Sequence, residues 1–126
     1  MRRYPTKDAI DSLIKKLGLP EAAKHSQDWE HEVADSKRIL EFVLCYENDI
    51  LDEDEKFTLM IILIDSCNEA LAEEGILDET LWARVKLCLI KDEKIHKDTI
   101  DYWILHDCDD VDDWFYITPF VREIYK

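Results

Sequence analysis

The sequence predicts an all-α fold: a compact bundle of about five main helices and a short C-terminal one. Three observations lead there. Only two glycines and three prolines occur in 126 residues, too few for the turns about every 8–12 residues that sandwiches and barrels need. Apolar residues recur at helical spacing along most of the chain. Residues suited to start or stop helices stand between those runs. With 47% hydrophobic residues there is material for one packed domain spanning 1–126, burying roughly two-thirds of the surface of its unfolded chain.

The elements follow in order. Thr6 is placed to cap a first helix with Ile10, Leu13, Ile14 and Leu17 on one face, stopped by Gly18 and Pro20. Residues 21–34 have no clear period and read as a partly helical connection whose Trp29 packs onto the body. Asp35 and Ser36 offer caps for a helix that carries Ile39, Leu40, Val43 and Leu44, with Phe42 and Tyr46 at its edges, and ends near Asn48. Asp52-Glu-Asp-Glu55 reads as a capping box, acids suiting the positive end of a helix; a charged docking patch is the alternative.

The helix that follows runs to about Glu73. Phe57, Met60, Ile61, Ile64, Cys67 and Leu71 are in register and Leu59, Ile62 and Leu63 fill other sides, which marks a central helix. Gly75 closes it. Asp78 caps the next, with Leu81, Trp82, Val85, Cys88, Leu89 and Ile90, and a short polar join around Lys91-Asp-Glu-Lys94 leads into Ile95, Thr99, Ile100, Trp103 and Ile104. Short joins favour antiparallel neighbours. Thr118 as cap and Pro119 as first helical residue open a terminal helix with Phe120, Val121, Ile124 and Tyr125.

Thirty Asp and Glu against 16 Lys and Arg give a net charge of -14. Residues 1–26 hold six basic and three acidic groups, so the whole acidic excess lies in residues 27–126. Such a surface repels phosphate backbones and anionic headgroups, which argues against nucleic-acid and membrane partners and for a basic protein partner. No glycine-rich phosphate loop is present. The Arg2-Arg3 pair precedes a polar segment rather than a secretory apolar region. The longest apolar run, Leu59–Ile64, has six residues, against the ~20 that span a bilayer. The expectation is a cytoplasmic protein. Cys45, Cys67, Cys88 and Cys108 lie about 20 residues apart, without the close pairs of zinc or redox sites, and are expected reduced.

The segment from His106 to Tyr116 is the most unusual, with five aspartates in the seven residues from Asp107 to Asp113. Crowded carboxylates raise one another's pKa and repel unless a cation approaches. A calcium loop starting at Asp107 fails, since Val111, Asp112 and Thr118 stand where an oxygen ligand, Gly and Glu are needed. His106, Cys108 and Asp110 make a poor metal set without a distant fourth ligand. Two readings stay open. The segment is a docking surface, Asp107, Asp109, Asp110, Asp112 and Asp113 pairing with Lys or Arg while Tyr102, Trp103, Trp114 and Tyr116 anchor it, or it is an acidic solvated loop tied to the core by Trp114 and Phe115.

Trp82 and Trp103 read as core residues and Trp114 as the best exposed anchor. His25, His31, His96 and His106 read as surface or helix-edge groups near acids, His96 and His106 being sensitive to pH. Cys45, Cys67 and Cys88 sit on apolar faces, where a thiol is inert, and no nucleophile motif is found. Asp98 and Asp101 could share a cleft. The chain is therefore expected not to be an enzyme and to carry no metal or cofactor, with a carboxylate- or metal-dependent hydrolase as the least favoured reading.

In general character, with Tyr102, Trp103, Trp114 and Tyr116 flanking Asp107 to Asp113, the chain resembles small acidic helical bacterial toxin-immunity proteins. That resemblance implies an acidic face covering the basic active site of a toxin such as a nuclease, with association accelerated by opposite charge. The alternative is a structural or adaptor subunit whose charge serves solubility.

Overall fold

A computed structural model describes residues 3–21 and 29–125. The described residues form seven α-helices and no strand. These are α1 (Lys7–Leu17), α2 (Trp29–Glu32), α3 (Ile39–Asn48), α4 (Glu53–Glu74), α5 (Glu79–Lys91), α6 (Lys97–Ile104) and α7 (Thr118–Ile124), with a 3-10 turn at Val111–Asp113 between the last two.

Helix α4 is the hub. Leu59, Met60, Ile62, Leu63 and Ile64 are fully buried on its several sides, and α1, α2, α3 and α5 pack against it. Burying side chains of this size contributes roughly 1.5–3 kcal/mol each, which is why an all-round apolar segment sits at the centre and the amphipathic ones around it. Helix α6 packs against α7, and Thr118 ties the two together by donating its hydroxyl to the Trp103 carbonyl at 2.8 Å.

Local signals account for most helix ends. Thr6 accepts from the Ala9 N–H at 3.1 Å, and Gly18 and Gly75 take left-handed φ of 62° and 71° as C-caps. The capping box at α4 is complete, Asp52 accepting from the Glu55 N–H at 2.8 Å and Glu55 from the Asp52 N–H at 3.1 Å. Asp78 caps α5 through Thr80 and Leu81.

Elsewhere the structure departs from expectation. Helix α3 starts three residues after Ser36, at Ile39, without a side-chain cap. Asp35 instead accepts from the Lys37 N–H in a turn, and Ser36 donates to Glu73. Thr118 is already the first residue of α7, because its hydroxyl is engaged by Trp103, and Pro119 is the second. The connection before α3 carries its own short helix, α2. Trp29 is 2% exposed there and donates its indole N–H to the Pro20 carbonyl at 2.8 Å.

Candidate protein-docking site

Helix α6 ends where Leu105 adopts a left-handed φ of 51°, a conformation that costs a branched residue energy and needs support. Arg122 of α7 supplies it. Its guanidinium donates to the carbonyls of Ile104 (2.7 Å), Leu105 and Cys108 (3.0 Å), satisfying acceptors left open at the helix end. The same guanidinium lies 4.0 Å from the Trp114 ring centroid, and the Trp114 indole donates to the Cys108 carbonyl at 2.9 Å. Phe115 packs on Trp103 and Tyr102, with ring centroids 4.8 and 5.4 Å away. Loop 105–116 is thus clamped from beneath by one cation and tied down by two aromatics.

On that frame Asp107, Asp109, Asp110, Asp112 and Asp113 are all exposed. Asp110 also accepts from the Asp112 N–H at 3.0 Å, which starts the 3-10 turn. The ion pairs among the described residues use other carboxylates, so none of these five is ion-paired there. Tyr116 is 62% and Tyr102 40% exposed at the edge of the loop. Two expected anchors are corrected: Trp103 is buried in the core, and Trp114 is engaged elsewhere. Trp114 is half-buried and serves the clamp, so it is not a freely exposed anchor.

Next to this loop lies a cleft of about 840 Å³ between α2, α4, α6 and the N-terminal residues Arg3 to Pro5. Its aromatic wall is Trp29, Phe57, Tyr102 and Trp103, and Asp98, Glu30 and His31 supply polar lining. The Asp98 carboxylate accepts from the Arg3 backbone N–H at 2.7 Å. Asp101 is not part of the cleft; it lies 3.8 Å from His106 at the exposed end of α6, so Asp98 and Asp101 do not share one. His31 Nδ1 stands 2.7 Å from the Asp65 carboxylate.

The interior holds a polar group that sequence reading misplaced. His96 is 0% exposed, not at a helix edge. Its Nε2 is 2.7 Å from the Tyr46 hydroxyl, which is 2.7 Å from Asp92. The single Tyr46 proton goes to the Asp92 carboxylate, so His96 Nε2–H donates to the tyrosine oxygen and Nδ1 stays bare. That nitrogen finds no partner among the described residues. Burial, helped by Arg3 and Lys56 against the opposing pull of Asp92, lowers the His96 pKa to about 4. The sequence placed an acid four residues before His96, but nothing in it told a buried histidine from a surface one.

The other histidines differ. His106 is exposed, His31 is half-buried, and His25 lies outside the described residues. The four cysteines are free thiols. Burial pushes Cys45 and Cys67 up to about 12 and Cys88 up to about 11, far from a nucleophilic thiolate at neutral pH. Among the described residues no group of three or more His, Cys, Asp or Glu side chains is arranged to hold a metal ion, and no helix is long and apolar enough to cross a membrane. His106 faces Asp101, while the Cys108 thiol is directed to the Asp110 carbonyl at 3.5 Å.

No protein-family model, no curated protein and no solved structure matches this chain.

Proposed function

We propose that the chain is an acidic protein-binding module that neutralises or regulates a cationic protein, with Asp107 to Asp113 as the first point of contact. The observation that carries this reading is that five exposed carboxylates, none ion-paired among the described residues, stand on a loop fixed by Arg122 and Trp114. A charge run on a loose tail costs entropy when a partner orders it; one on a clamped loop costs little, so electrostatic attraction converts to association more fully. Lys or Arg from a partner also relieves the mutual repulsion of the aspartates. Tyr102 and Tyr116 offer large amphipathic contacts at the margin.

In its specific form this is an immunity protein in the bacterial cytoplasm, covering the basic active site of a toxin such as a nuclease. We read the helices as one compact bundle with antiparallel neighbours, in keeping with the short joins between them. The second reading, a structural or adaptor subunit, draws support from Leu40, Leu44 and Leu87, which are exposed on α3 and α5.

The test is parallel capture from an extract of the native host on immobilised wild type and a D109N/D110N/D112N/D113N variant of equal helix content. The acidic-face reading expects a basic protein held by the wild type, released as salt rises from low to physiological, and retained several-fold less by the variant. Equal retention by both, insensitive to salt, overturns it. Retention lost instead in Leu87→Asp supports the adaptor.

A further inference from the structure

We infer that the cleft between α2, α4 and α6 receives an arginine-bearing segment of the cationic partner, and that Arg3 of this chain occupies the same position until the partner arrives. The inference rests on the proposed function and adds to it the pocket and the residue type that fills it.

An arginine is already held in cis at the edge of the cleft, where Arg3, Phe57 and Asp98 belong to its lining and Asp54 and Glu53 stand just outside it. The Arg3 guanidinium lies 2.9 Å from Asp54 and 3.7 Å from Glu53, over the Phe57 ring at 5.4 Å from its centroid. The Arg3 backbone N–H is held by Asp98 at 2.7 Å. Carboxylates, an aromatic face and a backbone acceptor are together what recognises an arginine of an extended peptide, and a lysine, lacking the planar fork, satisfies them less well.

Two further observations point to a ligand beyond Arg3. The cleft keeps about 840 Å³ open with Arg3 to Pro5 forming one wall, a volume within the range of sites that take peptides or small ligands. Thr99 lines it, is 4% exposed, and has a hydroxyl oxygen without a partner among the described residues. Such a buried group is normally satisfied, and an incoming backbone or guanidinium N–H would satisfy it. The cleft also adjoins the loop that carries the aspartates, through side chains they share as neighbours. Tyr102 lines the cleft and stacks on Phe115, the residue after Trp114. A basic surface drawn in by the aspartates therefore reaches the cleft at its Tyr102 rim, and its arginine displaces Arg3.

The probe is the acetylated, amidated peptide Arg-Tyr-Pro-Thr, with Ala-Tyr-Pro-Thr as control, titrated into the full chain and followed by NMR at the Trp29 and Trp103 indoles. Arg3→Ala removes the internal competitor and should bind the arginine peptide about fivefold or more tightly than the wild type. Adding Asp54→Asn should weaken that binding several-fold, and the alanine peptide should not bind. Should Arg3→Ala lose helix content, Arg3→Lys, a weaker competitor, should still bind the peptide more tightly than the wild type. Equal affinity of wild type and folded variant, or equal binding of both peptides, overturns the inference. So does a peptide-free, concentration-dependent dimer of Arg3→Ala, which would assign the cleft to a second copy. If the peptide fails while the four-Asn variant still loses its captured protein, only the cleft is wrong. If the peptide behaves as expected while capture ignores the four aspartates, the acidic-loop reading is the one that falls.

Discussion

The chain has two dense acidic runs, Asp52–Glu55 and Asp107–Asp113, and they are used in opposite ways. In the first, folding engages every carboxylate. Asp52 and Glu55 close the capping box, Asp54 and Glu53 face Arg3, and Glu55 also accepts from Ser12 at 2.6 Å and Lys16 at 2.9 Å. Burial alone would raise the Glu55 pKa, but the hydrogen bonds from Ser12, Lys16 and the Asp52 N–H outweigh it and hold the carboxyl below its usual range. In the second run one Asp caps a 3-10 turn and the rest of the charge faces solvent. Similar composition therefore gives a structural element in one place and an unmatched field in the other. What distinguishes them is whether cations and N–H donors converge on the carboxylates.

The largest expected effect is at Glu55. Replacing it with Ala leaves Ser12, Lys16 and the Asp52 N–H without their acceptor and should lower the free energy of unfolding by about 3 kcal/mol in urea titrations. A loss below about 1 kcal/mol would mean that the first run is no more engaged than the second.

The next tests whether engaged polar groups in the interior behave likewise. The unfolded imidazole takes up its proton near pH 6.5 and buried His96 only near about 4, so on acidification the unfolded chain binds protons first. The stability due to this residue is full above pH 6.5 and is lost as the pH falls to about 4, on the order of 3 kcal/mol in all. Asp92, Tyr46, Lys56 and Arg3 are the groups acting on it. His96→Asn should flatten that part of the pH profile relative to the wild type. Parallel profiles would remove His96 from the account.

The smallest effect is expected at the second run. D109N/D110N/D112N/D113N removes only mutual repulsion, so its Tm should stay within about 3 °C of the wild type, shifting upward if at all. A large fall would show that these aspartates, too, are structural.

Legibility in the sequence divides along the same line. Features set by a few neighbouring residues are readable: at Thr6, the Asp52–Glu55 box and Asp78 a side-chain acceptor meets backbone N–H groups two or three positions on, and at Gly18 and Gly75 only glycine takes the left-handed φ freely, whatever the rest of the chain does. Features set by distant partners were not. Asp35 and Ser36 have cap chemistry, but Glu73 draws the Ser36 hydroxyl away from the backbone it would cap. His96 is buried because Tyr46, fifty residues earlier, reaches it. Trp114 looked like an exposed anchor because nothing near it in sequence reveals Arg122 lying across its ring. Of the candidate site, the five aspartates, Tyr102 and Tyr116 are exposed, which a docking face and a solvated loop share. The cleft did not appear at all, since it joins residue 3 to residues 29, 57 and 98–103.

The central claim is that Asp107 to Asp113 steer a cationic partner onto this chain. Its most direct test is the association rate constant, by stopped flow, between the chain and a basic protein isolated in the capture experiment, from about 10 mM to 150 mM salt. The account expects the wild-type rate to fall tenfold or more over that range, with D109N/D110N/D112N/D113N slower at low salt and much flatter in its dependence. Identical rates and identical salt slopes for the two proteins would contradict it.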